Sequence, residues 1–168
     1  YSMNEDGTFT INAAQLLLDA SASDVDLDTL SVSSVSSVGN IHGNLVNNGD
    51  GTWTYTPTPD YNGGANFSFV VTDGNLTATN NINLTINPVN DVPVANDVSY
   101  SINEDGTFTI DAAQLLLDAG AYDVDLDTLS VSSVSGIGNI NGNLVDNGDG
   151  TWTYTPTPDY NGGANFSF

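Results

Sequence analysis

The stretch Asn44-Leu45-Val46-Asn47-Asn48-Gly49-Asp50-Gly51-Thr52-Trp53-Thr54-Tyr55 decides the fold class. Asn-Gly and Asp-Gly tolerate positive φ, so Asn48–Gly51 reads as a hairpin turn between the strands Asn44–Val46 and Trp53–Tyr55. Working outward, the same period-two pattern recurs. Gly7–Ile11 reads as one strand, and Leu30–Val35, rich in Ser and Val, as another. Phe67, Phe69 and Val71 alternate with lesser positions, and Ile82, Leu84 and Ile86 alternate cleanly with Asn83 and Thr85. Ala13–Ala20 breaks the pattern: Ala-Ala-Gln-Leu-Leu-Leu after Asn12, or after Asp111, suits a short capped helical turn. A first strand around Val98–Ile102 brings the count to seven per repeat, with no βαβ spacing. The sequence predicts an all-β protein of antiparallel, seven-stranded Greek-key sandwiches of immunoglobulin size, with Trp53, Tyr55, Phe67 and Phe69 in the core.

The chain repeats itself. Tyr1-Ser2-Met3-Asn4-Glu5-Asp6-Gly7 returns as Tyr100-Ser101-Ile102-Asn103-Glu104-Asp105-Gly106, a period of 99 residues. Residues 1–69 pair with 100–168, and eight of these 69 pairs differ: Met3/Ile102, Asn12/Asp111, Ser21/Gly120, Ser23/Tyr122, Ser37/Gly136, Val38/Ile137, His42/Asn141 and Asn47/Asp146. The expected domains are residues 1–91, with an incomplete first strand, and 92–168, without the last strands. That frame reads as a window on a longer array, or as a subunit completed by a neighbour.

Composition narrows the function. There are 21 acids and no Lys or Arg, for a formal net charge of −21. Without cations there is no P-loop lysine, arginine clamp or basic nucleic-acid patch, and no attraction to anionic headgroups. Cysteine is absent, which removes disulfides, thiolate metal sites and cysteine nucleophiles. No apolar run reaches membrane-spanning length, so membrane insertion is not expected. The one histidine, His42, is Asn141 in the second copy, so a triad or metal role built on it is disfavoured. Paired carboxylates can hydrolyse glycosides, but no groove of aromatics accompanies them here. A non-enzymatic protein is expected.

The acids gather in loops. Threading a Greek-key sandwich puts Asn4–Gly7, Asp60–Gly63 and the linker Asn87–Pro93 at one end of a repeat, and Asp19–Asp28 and Thr72–Gly74 at the other. At the junction between copies, Glu5, Asp60, Asn90 and Asp91 then face Asp123, Asp125 and Asp127. Asp24, Asp26, Asp28 and Asp73 are the matching acids at the far end of the first copy, and Glu104 repeats Glu5. Oxygen donors without nitrogen or sulfur favour Ca²⁺ over zinc or copper, and a crowded protein cage suits Mg²⁺ poorly. The Asp24–Asp28 loop is not an EF-hand, since it lacks the glycine at position six and the glutamate at position twelve.

These motifs resemble the cadherin-like tandem repeats of large bacterial surface adhesins. Asn4-Glu5-Asp6 resembles the family's Glu motif, and Asp24–Asp28 its Asp-x-Asp-x-Asp loop. Asp73-Gly74 resembles its late-loop Asp, and Asn90-Asp91-Val92-Pro93 its Asn-Asp-x-Pro linker. The chain departs from the pattern at Leu27 and Leu126, where relatives often carry Gly, and the second copy has no counterpart of Asp73. The resemblance implies Ca²⁺ between successive repeats, stiffening an extracellular rod in adhesion or biofilm matrix. Its partners would be neighbouring repeats, other copies of the chain, or surface glycans and matrix. Two alternatives belong to other classes: a filament subunit completed by strand donation between chains, and a carbohydrate-binding or spacer module of a secreted polysaccharide-degrading enzyme.

Overall fold

The computed structural model describes residues 1–168 and divides into two compact units, Tyr1–Val89 and Asn90–Phe168. In order, unit 1 comprises β1 (Ser2–Asn4), β2 (Phe9–Asn12), α1 (Ala13–Asp19), β3 (Ser31–Ser37), β4 (Gly43–Asn47), β5 (Thr52–Pro57), β6 (Gly63–Thr72) and β7 (Thr77–Asn87). Its strands form two sheets, ordered β1-β7-β6-β3 and β2-β5-β4. All pairs are antiparallel except β1 with β7, which run parallel through Ser2↔Thr85, Met3↔Ile86 and Asn4↔Asn87. The architecture is all-β, with one short helix in each unit.

Local chemistry explains the elements. In the β4–β5 turn, Gly49 and Gly51 take φ of 81° and 84°, the left-handed region that glycine enters without steric cost. Asn47 Oδ1 accepts from Gly49 N–H, and Asp50 Oδ1 accepts from both the N–H and the hydroxyl of Thr52. Helix α1 starts where Asn12 Oδ1 accepts from the N–H groups of Ala14 and Gln15, satisfying two donors that the first turn leaves free. Its Leu16 is buried in the core.

The sheets close over Ile11, Val35, Trp53, Tyr55, Phe67, Phe69, Ile82, Leu84 and Ile86. Tyr55 and Phe67 meet edge to face at 5.2 Å, and the Tyr55 hydroxyl donates to Ile41 O at 2.5 Å. The long β6–β7 pair supplies the alternating inward row Ala65, Phe67, Phe69, Val71 against Ile82, Leu84, Ile86.

Unit 2 builds β8 (Phe108–Asp111), α2 (Ala112–Asp118), β9 (Ser135–Gly136), β10 (Gly142–Asp146), β11 (Thr151–Pro156) and β12 (Phe166–Ser167). The sheet β10-β11-β8 repeats β4-β5-β2 with the same register, and Asp111 caps α2 through Gln114 N–H as Asn12 caps α1. The expected strand around Val98–Ile102 does not form. The reason lies in the ladder: in unit 1 the equivalent Ser2–Asn4 is held by β7, and no segment of residues 100–168 repeats Thr77–Asn87. A strand of three residues does not persist without hydrogen-bond partners.

That stretch is tied down at Tyr100, as its counterpart in unit 1 is at Tyr1, on Phe9 and Asp19. The Tyr100 ring packs on Phe108 at 4.9 Å, and its hydroxyl donates to Asp118 Oδ2 at 2.6 Å. Gln114 Nε2 donates to the other oxygen of the same carboxylate, also at 2.6 Å. The bond from Tyr100, then that from Gln114, holds Asp118 below the ordinary carboxylate range. The bond to Asp118, with burial second, pushes the Tyr100 phenol up to about 12. A depressed carboxyl contributes stability above its unfolded value and loses it as pH falls through the folded one; a raised phenol contributes below 10.0 and loses it as pH climbs towards about 12. Tyr100→Phe should therefore cost a constant amount between roughly pH 5 and pH 9, with the gap to wild type closing at both extremes. Urea unfolding across pH checks this, and a gap that stays constant below pH 3 would remove the clamp from the account.

Candidate metal centre

In unit 1 the backbone places Glu5. The parallel pairing of β1 with β7 runs on for one more bond, Glu5 N–H to Asn87 O at 2.9 Å, which sets Glu5 beside the end of β7. There Glu5 Oε1 accepts from Val89 N–H at 2.7 Å. Only 3% of the residue is exposed, and its second oxygen, Oε2, is buried with no hydrogen-bond partner. Burying a carboxylate without compensation costs several kcal/mol, of order 3–5 kcal/mol when a partner is removed. The chain has no Lys or Arg to supply that compensation.

Next to it, Asp6 and Asp60 both take left-handed φ, 61° and 58°. Asp6 Oδ1 accepts from Asp60 N–H at 3.4 Å, and carboxylate oxygens of the two lie within 4.8 Å of each other. The same contact recurs in unit 2, where Asp105 Oδ1 accepts from Asp159 N–H at 3.0 Å. Asp6 was not among the ligands expected from the sequence. Its place in the Asn4-Glu5-Asp6 motif was the available signal, but its meeting with Asp60, 54 positions away, is a tertiary fact.

In unit 2 the Asp-x-Asp-x-Asp loop folds around its first member. Asp123, 7% exposed, accepts through Oδ1 from the N–H groups of Asp125 at 2.9 Å and Asp127 at 3.4 Å. The turn needs Leu126 at φ 64°, as it needs Leu27 at the same angle in unit 1. Leu pays a steric penalty of about 1 kcal/mol in the left-handed region, which a glycine would avoid. Asp91 N–H donates to Asp125 Oδ2 at 2.7 Å, and carboxylate oxygens of Asp91 and Asp125 also lie within 4.8 Å. Two carboxylates that close repel by a few kcal/mol at an effective dielectric near 20. The donors are oxygens throughout, the chemistry of a hard cation such as Ca²⁺.

The remaining expected residues fall elsewhere. Asp24 Oδ1 accepts from Asp26 and Asp28 N–H at 2.8 and 3.3 Å, so the first-copy loop has the fold of the second, with Asp26 and Asp28 exposed. Asp73 Oδ1 accepts from the N–H groups of Leu76 and Asn75, which hold its carboxyl below the ordinary range. Asn90 is exposed and donates through Nδ2 to Asp91 O at 3.0 Å. Glu104, the repeat of buried Glu5, is exposed. His42 stacks flat on Tyr61 at 4.3 Å, and its replacement Asn141 donates to the hydroxyl of the equivalent Tyr160, so both keep the same neighbour.

No helix is long and apolar enough to cross a membrane. Among curated proteins, none matches this sequence. Among solved structures, the chain is similar to the endo-fucoidan hydrolase MfFcnA4 of glycoside hydrolase family 107, at 17% identity and a TM-score of 0.36. It is similar also to the endo-fucoidan hydrolase MfFcnA9 of the same family, at 14% identity and a TM-score of 0.33. The alignments cover 94% of this chain but only 23% and 28% of those proteins, so the chain spans about a quarter of their length. The cadherin-like domain pattern, by contrast, matches residues 1–87 and again 89–168, and with nearly every residue inside one match or the other, the chain belongs to the cadherin-like domain family.

Proposed function

We propose that this chain is a non-enzymatic extracellular repeat module in which Ca²⁺ joins successive seven-stranded Greek-key repeats and stiffens an extended array for cell adhesion or matrix assembly. The observation that carries this reading is the buried carboxylate of Glu5, with one oxygen on Val89 N–H and the other lacking a hydrogen-bond partner. Chain continuity brings a second set of acids to it. Val89 and Asp91 are two residues apart, at most about 7 Å along an extended chain, and Asp91 N–H is bonded to Asp125. Glu5, Asp6 and Asp60 on one side of the linker, and Asp91, Asp125 and Asp123 on the other, would hold the cation, with Asn90 and Asp127 available at the edge. A bound Ca²⁺ supplies the positive charge that the sequence lacks. The protein's own groups fix the ligands: β1 and β7 position Glu5, and the Asp123 loop positions Asp125.

Without the ion, like charges on the two sides repel and Val89–Pro93 acts as a hinge. With it, the angle between repeats is fixed. Family membership supports an extracellular setting, and partners would be neighbouring repeats, further copies of the chain or surface matrix. Calorimetric titration tests the reading. Ca²⁺ should bind with a Kd of roughly 10⁻⁴–10⁻³ M, the range of extracellular modules, and Mg²⁺ far more weakly. No heat at about 10 mM Ca²⁺, or equal heats with Mg²⁺, would rule it out.

A further inference from the structure

The tripeptide Asn-x-Ser/Thr, with x other than proline, is the acceptor pattern for N-linked sugars. It occurs four times, as Asn66-Phe67-Ser68, Asn75-Leu76-Thr77, Asn83-Leu84-Thr85 and Asn165-Phe166-Ser167. A transferase has to grip the whole tripeptide, and the fold leaves one of the four open to that. Within β6 and β7 the middle residue is locked in the core: Phe67 is fully buried, Leu84 is 2% exposed, and Asn66 and Asn83 face each other across the ladder. Phe166 packs edge to face on Tyr154. Asn75-Leu76-Thr77 instead closes the β6–β7 turn and enters β7 at Thr77, with all three residues exposed and Leu76 75% so.

The turn is built without using the acceptor's own groups. Asp73 Oδ1 accepts from the N–H groups of Asn75 and Leu76, both at 2.6 Å. Thr72 Oγ1 accepts from Gly74 N–H at 3.0 Å and donates to Leu76 O at 2.9 Å. The side-chain amide of Asn75 and the hydroxyl of Thr77 take no part in these bonds. Charge favours the same place. Sugars activated as glycosyl diphosphates are anions, and β6 and β7 carry no acid in a chain of −21. Asp73, the carboxylate at the tip, is already tied to two turn N–H groups.

We infer that Asn75 is a modification site, the acceptor of an N-linked glycan transferred from a glycosyl diphosphate to the folded protein. Asn75 Nδ2 attacks C1 of the sugar. The Nδ2–C1 bond forms, the C1–O bond breaks with its electron pair going to the departing diphosphate, and the amide gives up one proton. Nothing is oxidised or reduced. The site is separate from the carboxylates of the cation proposal, so each can fail alone.

The test treats the folded 168-residue protein, in EGTA, with two enzymes that are active on short acceptor peptides. One arm uses a soluble asparagine glycosyltransferase with uridine diphosphate glucose. The other uses a membrane oligosaccharyltransferase with a lipid diphosphate-linked oligosaccharide, so the arms separate nucleotide from lipid donors. The expected result is one glycan per chain in at least one arm, mapped to Asn75 by peptide mass spectrometry. Asn75→Gln and Thr77→Val should abolish it and Thr77→Ser should keep it, while all three exposed variants melt with the wild type. Three outcomes would overturn the proposal: no transfer in either arm, transfer to Asn66, Asn83 or Asn165 to the same extent as to Asn75, or transfer that survives Thr77→Val.

Discussion

Glu5→Gln should remove most of the calcium-dependent rise in melting temperature, yet leave the protein as stable as wild type, or more so, in EGTA. The two halves of this result have one cause. Glu5 is buried, one oxygen satisfied by Val89 N–H and the other by no hydrogen bond. In EGTA the wild type carries that charge at a cost, and a neutral amide of the same shape relieves it, as replacing uncompensated buried charge usually does. With Ca²⁺ the sign reverses, because the carboxylate becomes a ligand and its loss weakens the site. For a Kd of 10⁻⁴–10⁻³ M, about 10 mM Ca²⁺ should stabilise wild type by roughly 1.4–2.7 kcal/mol through mass action. For a unit of this size that is roughly 6–20 °C. Paired melts of wild type and Glu5→Gln, with Ca²⁺ and with EGTA, measure both signs. A variant destabilised equally in both conditions would make Glu5 a purely structural residue and sink its role as ligand.

The sequence carried much of the fold because the pattern in each strand is short-range. Asn48–Gly51 made the turn it spells, since Gly at positive φ and Asx side chains bonding two residues ahead are local chemistry. The alternation of Ile82, Leu84 and Ile86 became the inner row of β7 for the same reason. The Val98–Ile102 strand failed because a strand needs a neighbour, and alternation in one segment says nothing about whether another segment is present to pair with it. At the metal centre the Asp123–Asp127 loop was legible, its bonds spanning two to four residues. The Asp6–Asp60 contact and the burial of Glu5 but not Glu104 were not, because identical residues in two copies differ only in what the rest of the fold lays over them.

That difference between copies sets up the last expected result: Phe67→Ala should cost about 3–5 kcal/mol, and Phe166→Ala less than half as much. The two phenylalanines occupy equivalent positions and make the same aromatic contact. Phe67 meets Tyr55 at 5.2 Å and Phe166 meets Tyr154 at 5.1 Å, each at an interplanar angle of 68°. The edge-to-face term, about 0.5–1.5 kcal/mol, therefore cancels between them. What does not cancel is the cover. Phe67 lies opposite Ile82 under β7 and is fully buried, so truncation leaves a closed cavity; Phe166 borders an open one, and its removal exposes little that was dry. Because the two units need not unfold together, a single melting temperature is a poor readout. Amide exchange resolves each unit: Phe67→Ala should speed exchange at Phe69 and Leu84, and Phe166→Ala should scarcely alter Trp152 and Tyr154. Equal losses in both units would mean that β7 adds little to the burial of Phe67.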